Sequence, residues 1–201
     1  KLKALFKTSK LYVNGGGSLI QDVTSRRSLW FYLYTLSAAK KKGCRVYMYG
    51  CGIGPLDVER DREYVTRILN SSVDVITLRD PDSVELLREL AVTEPEIILT
   101  ADPVINSAPC PASEVERFML NSGMEPDGKY ICLGLRSWQG FIEKAPQIAA
   151  SLKEANEKLG LTPVFLPMNY ALDLEPAQRV AEKANVPYLI LPKLSDMGLA
   201  I

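Results

Sequence analysis

The chain has 201 residues, 24 Lys plus Arg balancing 24 Asp plus Glu, and 47% hydrophobic residues, enough for one large or two small globular domains. Zero net charge removes the electrostatic case for nucleic acid or an anionic membrane as main partner. No apolar run reaches the roughly 20 residues of a membrane span, and nothing at the start reads as a signal peptide.

In chain order, strands are expected at Lys10–Asn14, Arg45–Tyr49, Val73–Leu78, Ile97–Ala101, Tyr130–Leu135, Pro163–Leu166 and Tyr188–Leu191. Helical periodicity lies between them, over Ser25–Lys41, Val58–Asn70, Asp82–Leu90, Ser113–Ser122, Glu143–Leu159 and Glu175–Ala184. Regular alternation of the two argues for βαβ units and parallel sheets. The near-continuously apolar strands ("RVYMY", "EIILT", "YICLG") suit sheets with both faces covered. The stretch Asp102–Asp127 breaks the rhythm with four of the thirteen prolines. The expected division is a Rossmann-like domain over 1–107, a linker with a short helix over 108–128, and a second Rossmann-like domain over 129–201. Both halves read as short, and a new helix is due in 193–201, so the expectation is the middle of a longer protein.

In open parallel sheets, ligands bind beyond the carboxyl ends of the strands. Those ends carry Asn14-Gly15-Gly16-Gly17-Ser18, Gly50-Cys51-Gly52-Ile53-Gly54-Pro55, Arg79-Asp80-Pro81, Asp102-Pro103, Arg136-Ser137-Trp138 and Pro167-Met168-Asn169-Tyr170. Glycines, arginines and aspartates therefore gather at one rim. Successive glycines can expose a nest of amides to an anion, or can simply make the turn into a helix. "NGGGS" is neither a Walker loop nor a dinucleotide fingerprint, and "GCGIGP" stands between a turn and a ligand loop. Arg79 and Arg136 end strands, where a guanidinium fork suits a carboxylate or phosphate; the alternative is a salt bridge between domains. Arg26 and Arg27 open a helix, which disfavours cations unless an anion is near. Asp80 and Asp102 read as helix and turn caps.

The chain contains no histidine, which excludes a Ser-His-Asp triad and a His-bearing zinc site within it. Cys44, Cys51, Cys110 and Cys132 lack metal or redox spacing and are expected reduced in a cytosol. No metal is expected.

The motifs "GGGSLIQDVTSRRSLWFYL", "GCGIGPL", "ITLRDPDSVELLREL", "TADPV", "LGLRSW" and "FLPMNYALD" resemble, in order, the polysaccharide pyruvyl transferases. The similar branch is the one that pyruvylates secondary cell-wall polymers for S-layer attachment. The resemblance implies two Rossmann-like domains in the GT-B-like arrangement of many glycosyltransferases, with the active cleft between them. It implies transfer of the enolpyruvyl group of phosphoenolpyruvate to a sugar, as a pyruvate ketal with phosphate release. Phosphoenolpyruvate is then a co-substrate, and no cofactor is implied. The acceptor would be a lipid- or nucleotide-linked amino sugar, N-acetylmannosamine in that branch. Such an enzyme works in the cytoplasm, and a lipid-linked acceptor would bring it to the inner face of the membrane.

On this resemblance Arg136 and Arg79 hold the donor's anionic groups, and Gly15, Gly16, Gly17 and Ser18 offer amides. Arg26 and Asn169 join the substrate-binding set, and Asp22 hydrogen-bonds a sugar hydroxyl or acts as base. Arg136 and Asp22 are the catalytic candidates. The family's N-terminal glycine and aspartate motif and its C-terminal Arg-Leu-His segment have no counterpart here. The general acid is thus expected outside these residues, and the stretch alone is expected to be inactive. Two rivals remain: a glycosyltransferase using a nucleotide sugar, and a non-catalytic sugar- or anion-binding scaffold.

Overall fold

A computed structural model describes residues 2–191. The chain divides into two compact units, Lys1–Ser107 and Ala108–Ile201. The helix expected to begin within 193–201 lies outside the described residues.

Unit 1 runs α1 (Leu2–Thr8), β1 (Leu11–Gly15), α2 (Arg26–Lys40), β2 (Arg45–Cys51), α3 (Glu59–Ser72), β3 (Val75–Leu78), α4 (Pro81–Glu89) and β4 (Glu96–Leu99). Its four strands are parallel, in the order β1-β2-β3-β4. Each connection advances one strand the same way, so right-handed crossovers lay α2, α3 and α4 on one face. The core forms there: Leu29, Leu33 and Leu36 of α2 and Val65, Ile68 and Leu69 of α3 close over Val46, Met48, Ile76 and Leu78. Helix starts follow local chemistry. Ser25 caps α2 by accepting the Ser28 amide, and Asp80 caps α4 by accepting the Ser83 amide, with Pro81 next in the first turn.

Helix α1 has no sequence expectation behind it, although Leu2, Leu5 and Phe6 stand at helical spacing, and a single buried residue anchors it. That anchor is Phe6, buried with its ring 5.1 Å from Tyr12 in an edge-on contact, on the same face as α2. The opposite face of the sheet carries Leu11 and Val13, each 50% exposed, together with Tyr49 and Ile98, also exposed.

Unit 2 runs α5 (Ala112–Asn121), β5 (Tyr130–Leu133), α6 (Phe141–Leu159), β6 (Thr162–Phe165), α7 (Tyr170–Ala184) and β7 (Leu189–Ile190), with parallel strands ordered β5-β6-β7. Here both sheet faces are covered. Phe165 is buried among Ala145, Ala149 and Leu152 of α6 and Ala177, Val180 and Ala181 of α7. Its neighbour Val164 points the other way, into Met124, Leu191 and the partly buried Phe118 and Met119 of α5. Helix α5, within the stretch expected as a linker, is thus part of unit 2's packing.

Helix α7 starts five residues before the expected Glu175. Pro176, the second residue of the expected helix, lies well inside the observed one. The first turn is held by Asp173, whose carboxylate accepts the Asn169 amide while the Asp173 amide returns to the Asn169 carbonyl. The α/β class with two parallel sheets is as the sequence indicates.

Candidate functional site

In unit 1 the loops after β1 and β2 are joined. Gly52 donates to the Gly17 carbonyl at 3.2 Å, Gly54 to Ile20 at 2.7 Å, and Asp22 to Pro55 at 3.2 Å. A parallel bridge between buried Ile20 and Ile53 completes the seam. Gly16 and Gly17 have φ of +73° and +71°, a region costly for residues with a Cβ, so this loop is a turn that needs glycine. It is more than a turn, however. Among the described residues neither the Gly17 nor the Ser18 amide has a protein acceptor, which leaves both N–H groups open.

Gly52 has the opposite constraint, close approach. A Cβ there would stand 2.7 Å from the Ser18 hydroxyl, 3.3 Å from Asp80 Oδ2 and 3.6 Å from Arg79 Nε. The absent side chain draws three polar groups around one Cα at the carboxyl ends of β1, β2 and β3. Arg79 is anchored by its amide to the Cys51 carbonyl at 3.1 Å and by Nη1 to Asp102 Oδ2 at 2.6 Å. Asp102 also accepts the Val104 amide, and that bond, followed by Arg79, holds its carboxyl below the usual range. Asp80 and Asp102 are thus caps, as expected. Asp102 is also the partner of Arg79, and that ion pair is internal to unit 1. Burial pushes the Cys51 thiol up against the opposing pull of Arg79, which keeps it a neutral thiol.

Asp22 is buried, and its two oxygens accept the amides of Asp57 and Val58 at 3.0 and 2.9 Å. Val58 is the N-cap of α3 and supplies no side-chain cap of its own. Asp22 therefore ties the glycine loop to the start of α3. The anion near Arg26 is Asp61 of α3: Nε and Nη2 meet its two oxygens at 2.6 and 3.0 Å, and the Trp30 indole donates to it at 3.0 Å. The Asp61 side chain is 1% exposed against 48% for Arg26. The Arg26 bond, opposed by burial and aided by Trp30, holds the Asp61 carboxyl below the usual range; the same bond raises Arg26.

Unit 2 repeats the device. Arg136, three residues beyond β5, reaches Asp173 of α7 with Nε and Nη2 at 2.8 and 3.1 Å; the arginine is 51% exposed and the aspartate 4%. The Arg136 bond lowers the Asp173 carboxyl, burial opposes it, and the Asn169 amide assists. A guanidinium has five N–H donors, so two spent on Asp173 leave three directed elsewhere. Asn169 is the N-cap of α7, exposed, and its side chain makes no capping bond.

Asp61 and Asp173 escape sequence reasoning because acidic residues early in a helix read as solvated. A signal was nevertheless present. Asp61 falls on the buried stripe with Val65, Ile68, Leu69 and Ser72, and Asp173 on the stripe with Pro176, Ala177, Val180, Ala181 and Ala184. A carboxylate on an apolar stripe needs a cation.

The fold is that of an α/β protein with two parallel sheets, and its strand ends carry open amides and arginines. The sequence profile of the family described as polysaccharide pyruvyl transferase matches residues 1–195, and the chain belongs to that family. No curated protein sequence matches it. Family membership makes it a transferase-family chain with a polysaccharide-type acceptor. Among the described residues no helix is long and apolar enough to cross a membrane.

Proposed function

We propose that the protein moves the enolpyruvyl group of phosphoenolpyruvate onto a sugar of a cell-wall polysaccharide precursor, with N-acetylmannosamine as that sugar. The family supplies the reaction class. The observation that carries the donor assignment is the unit 1 rim, where the open amides of Gly17 and Ser18 adjoin Gly52 and the Arg79 guanidinium. Such a donor carries a carboxylate and a phosphate, which call for backbone amides and guanidinium forks.

In the reaction the vinyl CH2 takes a proton and becomes CH3, and positive charge develops at the carbon bearing phosphate. One sugar hydroxyl attacks that carbon and loses its proton. The bond to phosphate oxygen then breaks, phosphate leaves with the electron pair, and a second hydroxyl of the same sugar closes the ketal with loss of its proton. One of the two hydroxyl protons balances the new methyl and the other leaves with phosphate. Within this scheme Arg136, oriented by buried Asp173, binds a donor anion through its remaining donors. Arg79, Gly15, Gly17 and Ser18 bind the donor in unit 1, while the Gly16 amide, expected with them, is spent on the Tyr49 carbonyl at 3.0 Å and serves the turn. Arg26 supports the loop region through Asp61, and Asn169 offers its uncommitted amide to a substrate. Asp22 keeps the loop seated on α3, and the sugar-hydroxyl role expected of it would use lone pairs left by the two amides.

The test is phosphate release from phosphoenolpyruvate by the whole protein, with and without a lipid- or nucleotide-linked N-acetylmannosamine acceptor. Acceptor-dependent release is expected, and Arg136→Ala should lower kcat/KM for the donor at least tenfold. Release from no acceptor, with turnover of a nucleotide sugar instead, would replace this reading by glycosyl transfer.

A further inference from the structure

We propose that the groove between α2 and α3 of unit 1 is a binding site for a sugar chain that already carries carboxylates. The groove is separate from the glycine loops, has a volume of about 730 Å³, and is lined by Trp30, Arg60, Asp61, Glu63, Tyr64 and Arg67. Sites for small ligands occupy ~300–1,000 Å³, so the space is of a size that holds one or more ring-shaped units.

Its walls combine two kinds of surface. Trp30 is 45% exposed and cannot swing freely, because its indole N–H is bonded to buried Asp61. Tyr64 is half-buried beneath the Arg67 guanidinium, 5.0 Å from the ring centre. Arg26 lies over one side of the Trp30 ring, 5.6 Å from its centre, and the exposed remainder of the indole offers flat apolar area of the sort that lies against the C–H face of a pyranose. The Tyr64 ring packs on the core and holds Arg67 in place above it. The charges then choose among sugars. The charge of Asp61 is already answered by Arg26 at 2.6 Å. That leaves two cations, Arg60 and Arg67, against one anion, Glu63, and a surplus of one positive charge. Arginine pairs with carboxylates in bidentate fashion, and Glu63 accepts hydroxyl protons. A carboxylate in the wall disfavours a densely charged polyphosphate, and the exposed indole would be wasted on a free inorganic anion.

The inference rests on the pyruvyl-transfer reading for the source of the carboxylate. Each pyruvyl ketal adds one carboxylate to the acceptor, so a chain modified once acquires the group this groove prefers. The groove would retain a partly modified polymer while further sugars react.

The experiment uses the whole protein with Trp138→Phe, which leaves Trp30 as the tryptophan emitter of these 201 residues. The probes are a pyruvyl-ketal-bearing oligosaccharide and the same oligosaccharide after mild acid removal of the ketal, titrated without phosphoenolpyruvate. A saturable change in Trp30 emission is expected with the ketal-bearing probe, and at least fivefold weaker binding after acid treatment. Arg60→Ala with Arg67→Ala should weaken the ketal-bearing probe at least tenfold, while emission of the free protein stays unchanged. Arg79→Ala should leave this titration as it is. Equal affinity for both probes, absence of saturation, or indifference to the double variant with sensitivity to Arg79→Ala would overturn the proposal. Phosphate release measured in parallel keeps the two readings apart: its failure counts against pyruvyl transfer, and loss of ketal selectivity counts against the groove.

Discussion

The two sheets are threaded alike and covered differently. Both place successive parallel strands side by side in one direction, which commits the intervening helices to one face. The second face has to be covered by something outside the βα run. In unit 2 that is α5, which precedes the first strand and brings Phe118 and Met119 onto Val164. In unit 1 the helix in the same position, α1, joins the already covered side through Phe6, and Leu11, Val13 and Tyr49 remain exposed. Strand position alone therefore does not assign burial. Tyr49 of β2 sits mid-sheet and half-exposed, next to Met48 at 1%.

Adjacent residues on one central strand turn this comparison into measurements. The largest effect is expected for Phe165→Ala, about 3–5 kcal/mol, because a fully buried ring leaves a cavity between α6 and α7. Met48→Ala in unit 1 should fall nearby, at about 2–5 kcal/mol. Val164→Ala, on the face that α5 covers, should cost about 2 kcal/mol from two lost methyl groups and their void. Tyr49→Ala is its counterpart in unit 1 and should stay within about 0.5 kcal/mol. Urea unfolding followed by circular dichroism reads all four. A cost at Tyr49 equal to that at Val164 would show that the face is covered in solution.

Acid should act on both units alike, since each contains one buried aspartate paired with an arginine. The carboxyls of Asp61 and Asp173 both lie below their ordinary values, so their contribution is fully present above an unfolded value of about 3.9 and is lost as pH falls through the folded values below it. Stability should accordingly decline below about pH 4, and Asp61→Asn with Asp173→Asn should flatten that part of the curve. Smaller still is the expected consequence of Gly52→Ala for the fold. Its effect should appear instead as weakened donor binding in isothermal titration, because the new methyl meets the Ser18 hydroxyl.

What the sequence disclosed was whatever recurs over short distances. Apolar β-branched runs marked the strands, and Ser25 and Asp80 marked helix starts. Glycines and arginines at strand ends marked the rim. Hidden were pairings that only folding creates: Arg26 with Asp61 is 35 residues apart, and Arg136 with Asp173 is 37. The roles of Arg79 and Arg136 could be narrowed to an anion partner, yet an aspartate within the same unit satisfies that requirement as well as a ligand does. "GCGIGP" could not be resolved between turn and ligand loop, because the case for Gly52 lies in Ser18, Arg79 and Asp80, which neighbour it only in space. The start of α7 was legible only in part: periodicity begins at Glu175, whereas the first turn from Tyr170 depends on the Asp173–Asn169 bonds.

The seam between the glycine loops has a consequence in time as well as in shape. Gly52 and Gly54 donate across it, whereas Gly17 and Ser18 donate to nothing in the protein among the described residues. Hydrogen exchange along these few residues should therefore be uneven, slow at 52 and 54 and fast at 17 and 18. A bound anion should slow the fast pair and leave the slow pair where it was. The two loops would then behave as one stiff lip, with its open amides protected only while a ligand is held.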